Sequence, residues 1–170
     1  DEILRPSGLF VRGGFYPEPE DGVPVLPGGD AARTVVLIGN AGADVWQAFA
    51  QDADLTARHP LDTWLRPRIE AAAEALGACP VFPNSGPPFV PIQDWATRAE
   101  PVYRSPIGIM IHPRFGLWHV YRAVFLFADR LELPQRGEEE SPCESCTAKP
   151  CLKVCPAEAF LPDRFDAPAC

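Results

Sequence analysis

The chain has 170 residues, of which 46% are hydrophobic, so it can build one ordinary core with a small appendage. Its net charge of −8 argues against a nucleic-acid phosphate surface, which needs a basic stripe. No stretch approaches the roughly 18 consecutive apolar residues of a membrane span, and no basic-then-apolar signal segment opens the sequence. Residues 1–30 are rich in Pro and Gly and read as turns, with a short strand at Leu9–Val11. Arg33–Ile38 is continuous and β-branched, as in a buried strand. The Gly39-Asn-Ala-Gly42 turn follows, and Asp44 is placed to cap a helix over Val45–Asp52. Strand, Gly-x-x-Gly and helix suggest a phosphate site, but a left-handed turn explains the glycines more simply, without a Walker lysine.

A second helix is expected over Leu61–Leu76, broken or kinked near Pro67 and ended by Gly77. Cys79–Phe82 reads as a short strand, with Cys79 a small core residue. Residues 92–99 suit a short helix, and Ile107–Ile111 a second clear strand. His112-Pro-Arg-Phe-Gly116 turns the chain. Leu117–Leu131 is apolar on most sides and reads as a helix packed on the sheet, burying Trp118, Val124, Phe125 and Leu131. Glu132–Ser141 is polar and reads as a linker. The expected fold is α+β: a domain over 1–135 with a mixed or antiparallel sheet and packed helices, then a small ferredoxin-like cysteine module over 136–170.

The strongest chemical signal is Cys143-x2-Cys146-x4-Cys151-x3-Cys155-Pro156, four cysteines within thirteen residues. Thiolates are soft ligands that suit iron–sulfur clusters and zinc. A bacterial ferredoxin run is C-x2-C-x2-C-x3-C-P, so only the middle spacing differs. A zinc ribbon separates its pairs by a longer loop, and a disulfide scaffold spreads its cysteines along the chain. Here only Cys79 precedes residue 143. The reading favours 4Fe–4S chemistry, with a zinc-stapled structural domain next and disulfides last. Cluster-type cysteines point to a reducing cytoplasm.

Elsewhere the signals are weaker. Arg104 and Arg114 are candidates for an anionic group, with surface ion pairs as the plain alternative. Tyr103, Trp118 and Tyr121 suit stacking on a planar ring, though aromatics more often pack a core. The three histidines form no paired metal spacing. His59 suits a helix start at the surface. His112 is either a turn histidine bonded to backbone or a cofactor-facing group, and His119 a core histidine with its N–H satisfied. No catalytic nucleophile is evident.

Ala96-x-Arg-Ala99, then Ile109-x-Ile-His-Pro-Arg-Phe-Gly-x-Trp118, then the cysteine run, resembles the epoxyqueuosine reductase family. Phe165-Asp166-Ala-Pro-Ala-Cys170 also resembles that family's Asp-x-x-x-Cys. The resemblance covers roughly residues 92–170 by motif order. It implies a cobalamin-binding domain related to nitroreductase-like folds, followed by a dicluster ferredoxin module. Glu100–Gly108 departs from the family's glycine-rich Gly-Leu-Gly-Trp-Ile-Gly-Lys stretch, and no acid stands near Pro87, where the family carries its catalytic aspartate. What the resemblance implies is therefore an electron-relay architecture, with no catalytic residue assigned.

On that basis Tyr103, Arg104, His112, Arg114 and Trp118 are the residues expected to line a cobalamin or flavin pocket. Cys143, Cys146, Cys151, Cys155 and Cys170 are the expected metal ligands. The expected function is an iron–sulfur redox protein working with a redox partner, the acidic surface suiting a basic one. A cobalamin- or flavin-binding carrier without turnover is the alternative. Two clusters need eight thiolates, and the tract holds five. With an initial Asp-Glu and a single methionine, this leads to the expectation that the sequence is a fragment of a longer protein.

Overall fold

The computed structural model describes residues 1–161 and 164–170. In chain order its elements are β1 (Phe10–Phe15), β2 (Thr34–Ala41), α1 (Asp44–Asp52), α2 (Pro60–Ala75), β3 (Cys79–Val81) and α3 (Ile92–Ala99). Then come β4 (Tyr103–Arg104), β5 (Met110–Ile111), β6 (His119–Phe127), α4 (Pro142–Ser145) and α5 (Pro150–Lys153). The protein is α+β. Strands β1-β2-β6-β3 form one four-stranded sheet, antiparallel throughout, and β4-β5 form a separate two-stranded sheet. Among the described residues no helix is long and apolar enough to cross a membrane.

Helices cover both faces of the large sheet. Every residue of β2 is buried, because its alternate side chains enter different cores. Val36 and Ile38 meet Ala123 and Phe125 of β6, Val45 and Phe49 of α1, and Trp64, Leu65, Ile69 and Ala73 of α2. Val35 and Leu37 meet Val124 and Leu126 of β6, Phe15 of β1, and Trp95, Ala96 and Ala99 of α3. Trp95 is fully buried, and its indole N–H donates to the Asp21 carbonyl at 2.9 Å. On the opposite face Asp52 at the end of α1 accepts from Trp64 Nε1 and Arg68, at 2.6 and 2.7 Å, fastening α1 to α2.

The helix expected over Leu117–Leu131 is strand β6, an inner strand of the sheet. His119–Phe127 is β-branched and aromatic, and a strand buried on both faces is as continuously apolar as a buried helix. Val124 and Phe125 are buried as expected, but Trp118 is 82% exposed and Leu131 half-buried. Ile107–Ile111 contributes only Met110–Ile111 as strand, and in the small sheet. Gly108 turns the chain at φ +78° instead. Asp44 is the first residue of α1 rather than its cap. Helix α2 runs unbroken through Pro67 and ends in a Schellman motif, with Gly77 at φ +66° and Ala78 N–H donating to Ala73 O at 2.9 Å.

Two β-bulges interrupt the sheet, one at Arg12 between Val11 and Gly13, the other at Arg122 opposite the Ile38–Gly39 step. Close backbone contacts surround both. A Cβ on Gly39 would lie 2.2 Å from Val120 O, and one on Gly13 would lie 2.4 Å from Ala99 O at the end of α3. Gly13→Ala should therefore cost about 1–3 kcal/mol by overpacking. Phe125→Ala should cost about 3–5 kcal/mol by leaving a cavity. Urea unfolding of both variants checks these figures, and a Gly13→Ala variant as stable as the parent would contradict the close packing of α3 on β1.

Candidate functional site

Both bulges turn an arginine out of the strand alternation, and both arginines reach Asn40. Arg12 Nη1 donates to the Asn40 backbone carbonyl at 3.4 Å, and Arg122 Nε to its side-chain oxygen at 2.9 Å. Arg12 lies buried beneath the sheet end, where its guanidinium pairs with Glu100 at 2.7 Å. The Phe115 and Tyr121 rings flank it, with centres 5.2 and 4.9 Å away. Tyr121 donates its hydroxyl to the same Glu100 carboxylate. Desolvation pushes the Glu100 carboxyl above its ordinary pKa although Arg12 and Tyr121 pull the other way. Burial, then the Glu100 charge, pushes the Tyr121 phenol well above its ordinary value.

Two histidines complete this cluster, His112 buried and His119 half-buried, and their partners fix their tautomers. His119 Nε2 lies 3.1 Å from Met110 O, which can only accept, so Nε2 carries the proton. Its Nδ1 then accepts from Arg12, at 3.3 and 3.4 Å. His112 Nδ1 accepts from the Arg114 and Phe115 backbone N–H groups, which leaves the proton on Nε2, 3.5 Å from Glu100. Desolvation, followed by the Arg12 charge, lowers both histidines to a pKa of about 4. His112 bonds backbone as a turn histidine should, and His119 has its N–H satisfied as expected, but it is half-buried on a strand and not in the core.

The residues expected to line one cofactor pocket face different surroundings. Tyr103 donates its hydroxyl to Glu139 O. Arg104 is bound to Gln93 and Asp94, both at 2.6 Å. Tyr103, Arg104 and Ser105 line a cleft of about 420 Å³ with Ser141, Cys143, Glu144 and Lys149. The Ser105 hydroxyl is buried there without a hydrogen-bond partner among the described residues. Arg114 instead lines a larger cleft of about 1070 Å³ between α1, α2 and the N-terminal turn, with Arg5, Asp44, Trp64 and Phe115. His112 is buried in the cluster above, and Trp118 stands in solvent.

The cysteines lie on two one-turn helices of similar build. Each helix begins Pro-Cys, so Cys143 and Cys151 are second residues, and Cys146 and Cys155 fall at or just past the ends. Ser141 Oγ accepts from Cys143 N–H at 3.3 Å, and the Lys149 ammonium donates to the Cys143 carbonyl. All four are half-buried free thiols, while Cys170 is exposed. Among the described residues no three His, Cys, Asp or Glu side chains converge closely enough to grip a single metal ion. The donor chemistry nevertheless suits a cluster: four soft sulfurs within thirteen residues, with Glu144 the one carboxylate between the first and the last. The first cysteine helix also faces the β4 strand across the 420 Å³ cleft.

Comparison with protein-family models finds no match, and no curated protein matches the chain significantly.

The Arg12–Glu100 pair and the bulges that aim it were not anticipated. The available signal was a lone charge inside each apolar stretch, Arg12 in Leu9–Phe15 and Arg122 in His119–Phe127. Arg12→Met removes one partner and strands the Glu100 carboxylate, so it should cost about 3–5 kcal/mol in urea unfolding. The histidines set an acid limit. Their folded pKa of about 4 lies below the ordinary 6.5, so the unfolded chain takes up protons first as pH falls. Their contribution is complete above pH 6.5 and lost progressively toward pH 4, while Glu100, with its raised pKa, works weakly against this slope. His119→Gln should flatten the decline of Tm between these limits. An unchanged slope would rule out a neutral His119.

Proposed function

We propose that this protein is an iron–sulfur redox protein in which Cys143, Cys146, Cys151 and Cys155 supply the thiolates, with Cys170 belonging to a second ligand set. When bound, the cluster supplies one-electron chemistry, and the protein sets its distance to the partner group and its electrostatics. The observation that carries the reading is the cysteine tract itself: ferredoxin-like spacing, free half-buried thiols, and a first helix seated across a cleft from Tyr103–Pro106. The epoxyqueuosine reductase resemblance supports the same arrangement, a ferredoxin-type module beside a domain that holds a cobalamin or flavin. Within that arrangement the residues around the cleft have separate tasks. Tyr103 anchors the segment leading to the cysteines through Glu139. Lys149 holds the Cys143 turn through its carbonyl. Ser105 lines the same cleft, with its hydroxyl buried and unpartnered among the described residues. A redox partner with a basic face would suit the net charge of −8.

Anaerobic purification with iron, sulfide and zinc determination tests the reading. The expected product is brown, contains iron and acid-labile sulfide in equal amounts, and bleaches on reduction with dithionite. Cys146→Ser or Cys151→Ser should lower the iron content at least several-fold while the far-ultraviolet spectrum of the α+β domain is retained. Stoichiometric zinc without sulfide would replace this function with a structural one. Cobalamin or flavin added to the reduced protein should change its visible spectrum if the neighbouring cleft holds either group.

A further inference from the structure

A third cavity lies between α2 and β6 and shares no lining residue with the cleft at the cysteine tract. It measures about 170 Å³ and is walled by Leu65 and Ile69 of α2, Phe82, Asn84, and Tyr121 of β6, with Asp62, Arg66 and Arg122 at its polar side. At about 30 Å³ for each small heavy-atom group, the share of a water in the liquid, this is room for roughly five or six such groups.

Arg122 is the unusual member. The bulge opposite Ile38–Gly39 takes it out of the regular ladder, and Asn40 holds its Nε at 2.9 Å. Among the described residues neither terminal nitrogen of that guanidinium has a hydrogen-bond or ion-pair partner, although the side chain is half-buried. Burial lowers its pKa, and Asp62 opposes the shift without reaching it as an ion pair. Neither terminal nitrogen is sealed from water, so the fork is open to a ligand arriving from solvent, and a carboxylate there would gain charge-assisted hydrogen bonds. The second cation, Arg66, lies flat over Phe82 at 4.0 Å and pairs only loosely with Glu70, at 3.6 Å. With Glu70 beside Arg66 and Asp62 near Arg122 without reaching it, Arg122 is the cation of this cavity that no carboxylate contacts among the described residues. Arginine forks match carboxylates in bidentate geometry, and the remaining walls are apolar.

We propose that this cavity binds a small organic carboxylate, its carboxylate on the Arg122 fork and its hydrocarbon part against Leu65, Ile69 and Phe82. The site is independent of the cysteine tract. Asp62 at the mouth disfavours dianions, so a monocarboxylate with a short apolar or aromatic body is the class selected.

Titration of the full chain with butyrate and benzoate, followed by amide and side-chain NMR shifts and by Tm, tests the assignment. Saturable binding is expected, with shifts at Asn84, Tyr121 and the Arg122 side chain. Acetate and inorganic phosphate should bind at least tenfold more weakly, and butylamine should not bind. Arg122→Gln should weaken butyrate at least tenfold, and Arg122→Lys should restore it only in part. Should Arg122→Gln unfold, Asp62→Asn decides the matter from the opposite direction. Asp62 is exposed, and removing its charge should tighten butyrate binding two- to fivefold. No saturable binding up to about 10 mM, phosphate binding as tightly as butyrate, or an Asp62→Asn variant with unchanged affinity would each overturn the proposal.

Discussion

The Arg12–Glu100 ion pair is the constraint around which the end of this fold is arranged. Its two members come from distant parts of the chain, a bulge in β1 and the residue that ends α3, and both side chains are almost wholly withdrawn from solvent. A buried pair is not stabilising by default, because the cost of desolvating two charges rivals their attraction. Here the surroundings offset that cost. Glu100 accepts from Tyr121 as well as Arg12, and Arg12 donates to Asn40 and His119 while three aromatic rings flank its guanidinium. One atom is left over: Arg12 Nε is buried with no partner among the described residues. The cluster is therefore close to satisfied, which favours one geometry over the many a purely apolar contact would allow.

The same cluster explains the state of the histidines. A carboxylate near an imidazole usually raises its pKa, yet both rings here are held neutral. Desolvation and the fixed charge of Arg12 outweigh Glu100, whose own charge is already engaged by Arg12. Neutral rings suit their hydrogen bonds. His119 could not accept from Arg12 if its Nδ1 were protonated, and His112 would lose the two backbone donors that close the Pro113–Phe115 turn. Acid thus acts on the connection between β1, β6 and the 112–116 turn together.

Much of the framework was legible from local pattern. The α2 stripe, the Gly77 stop, the 92–99 helix and the buried β2 strand all follow from periodicity and cap chemistry, and the structure has them. The cysteine tract stands out for a different reason, since its spacing is visible without any knowledge of the fold. Strand β6 was misread because periodicity carries no information once both faces of a strand are buried. The candidate cofactor residues were grouped by the family resemblance, but Ser105–Ile109 folds back on itself at Gly108. That turn sends Tyr103–Ser105 toward the cysteines and leaves His112 in the core and Arg114 beside α1. The bulges left only a faint mark, a lone arginine inside each apolar strand, because one extra residue redirects a side chain without changing the pattern around it.

Glu100 also links the core to the cysteine tract through its backbone. Its carboxylate belongs to the buried cluster, while its carbonyl accepts from Arg136 Nε at 3.2 Å in the segment leading to the cysteines. Three residues on, Tyr103 holds Glu139 of the same segment. Residues 132–141 contain no helix or strand, so these two side-chain bonds, rather than a ladder, fix where the tract begins. Position at that point depends on residues 100–104, which are in turn held by the ion pair at one end and by the Arg104–Asp94 contact with α3 at the other. Lys149 then continues the fastening inside the tract by gripping the Cys143 carbonyl. A polar segment with three consecutive glutamates reads as a flexible linker by composition, yet here it is a strap with defined attachment points. An acidic strap tied by Arg136 and Tyr103 depends partly on charge and partly on a neutral phenol. Both fastenings nevertheless end on neutral backbone carbonyls, so salt, which screens charge against charge, should leave either one largely in place.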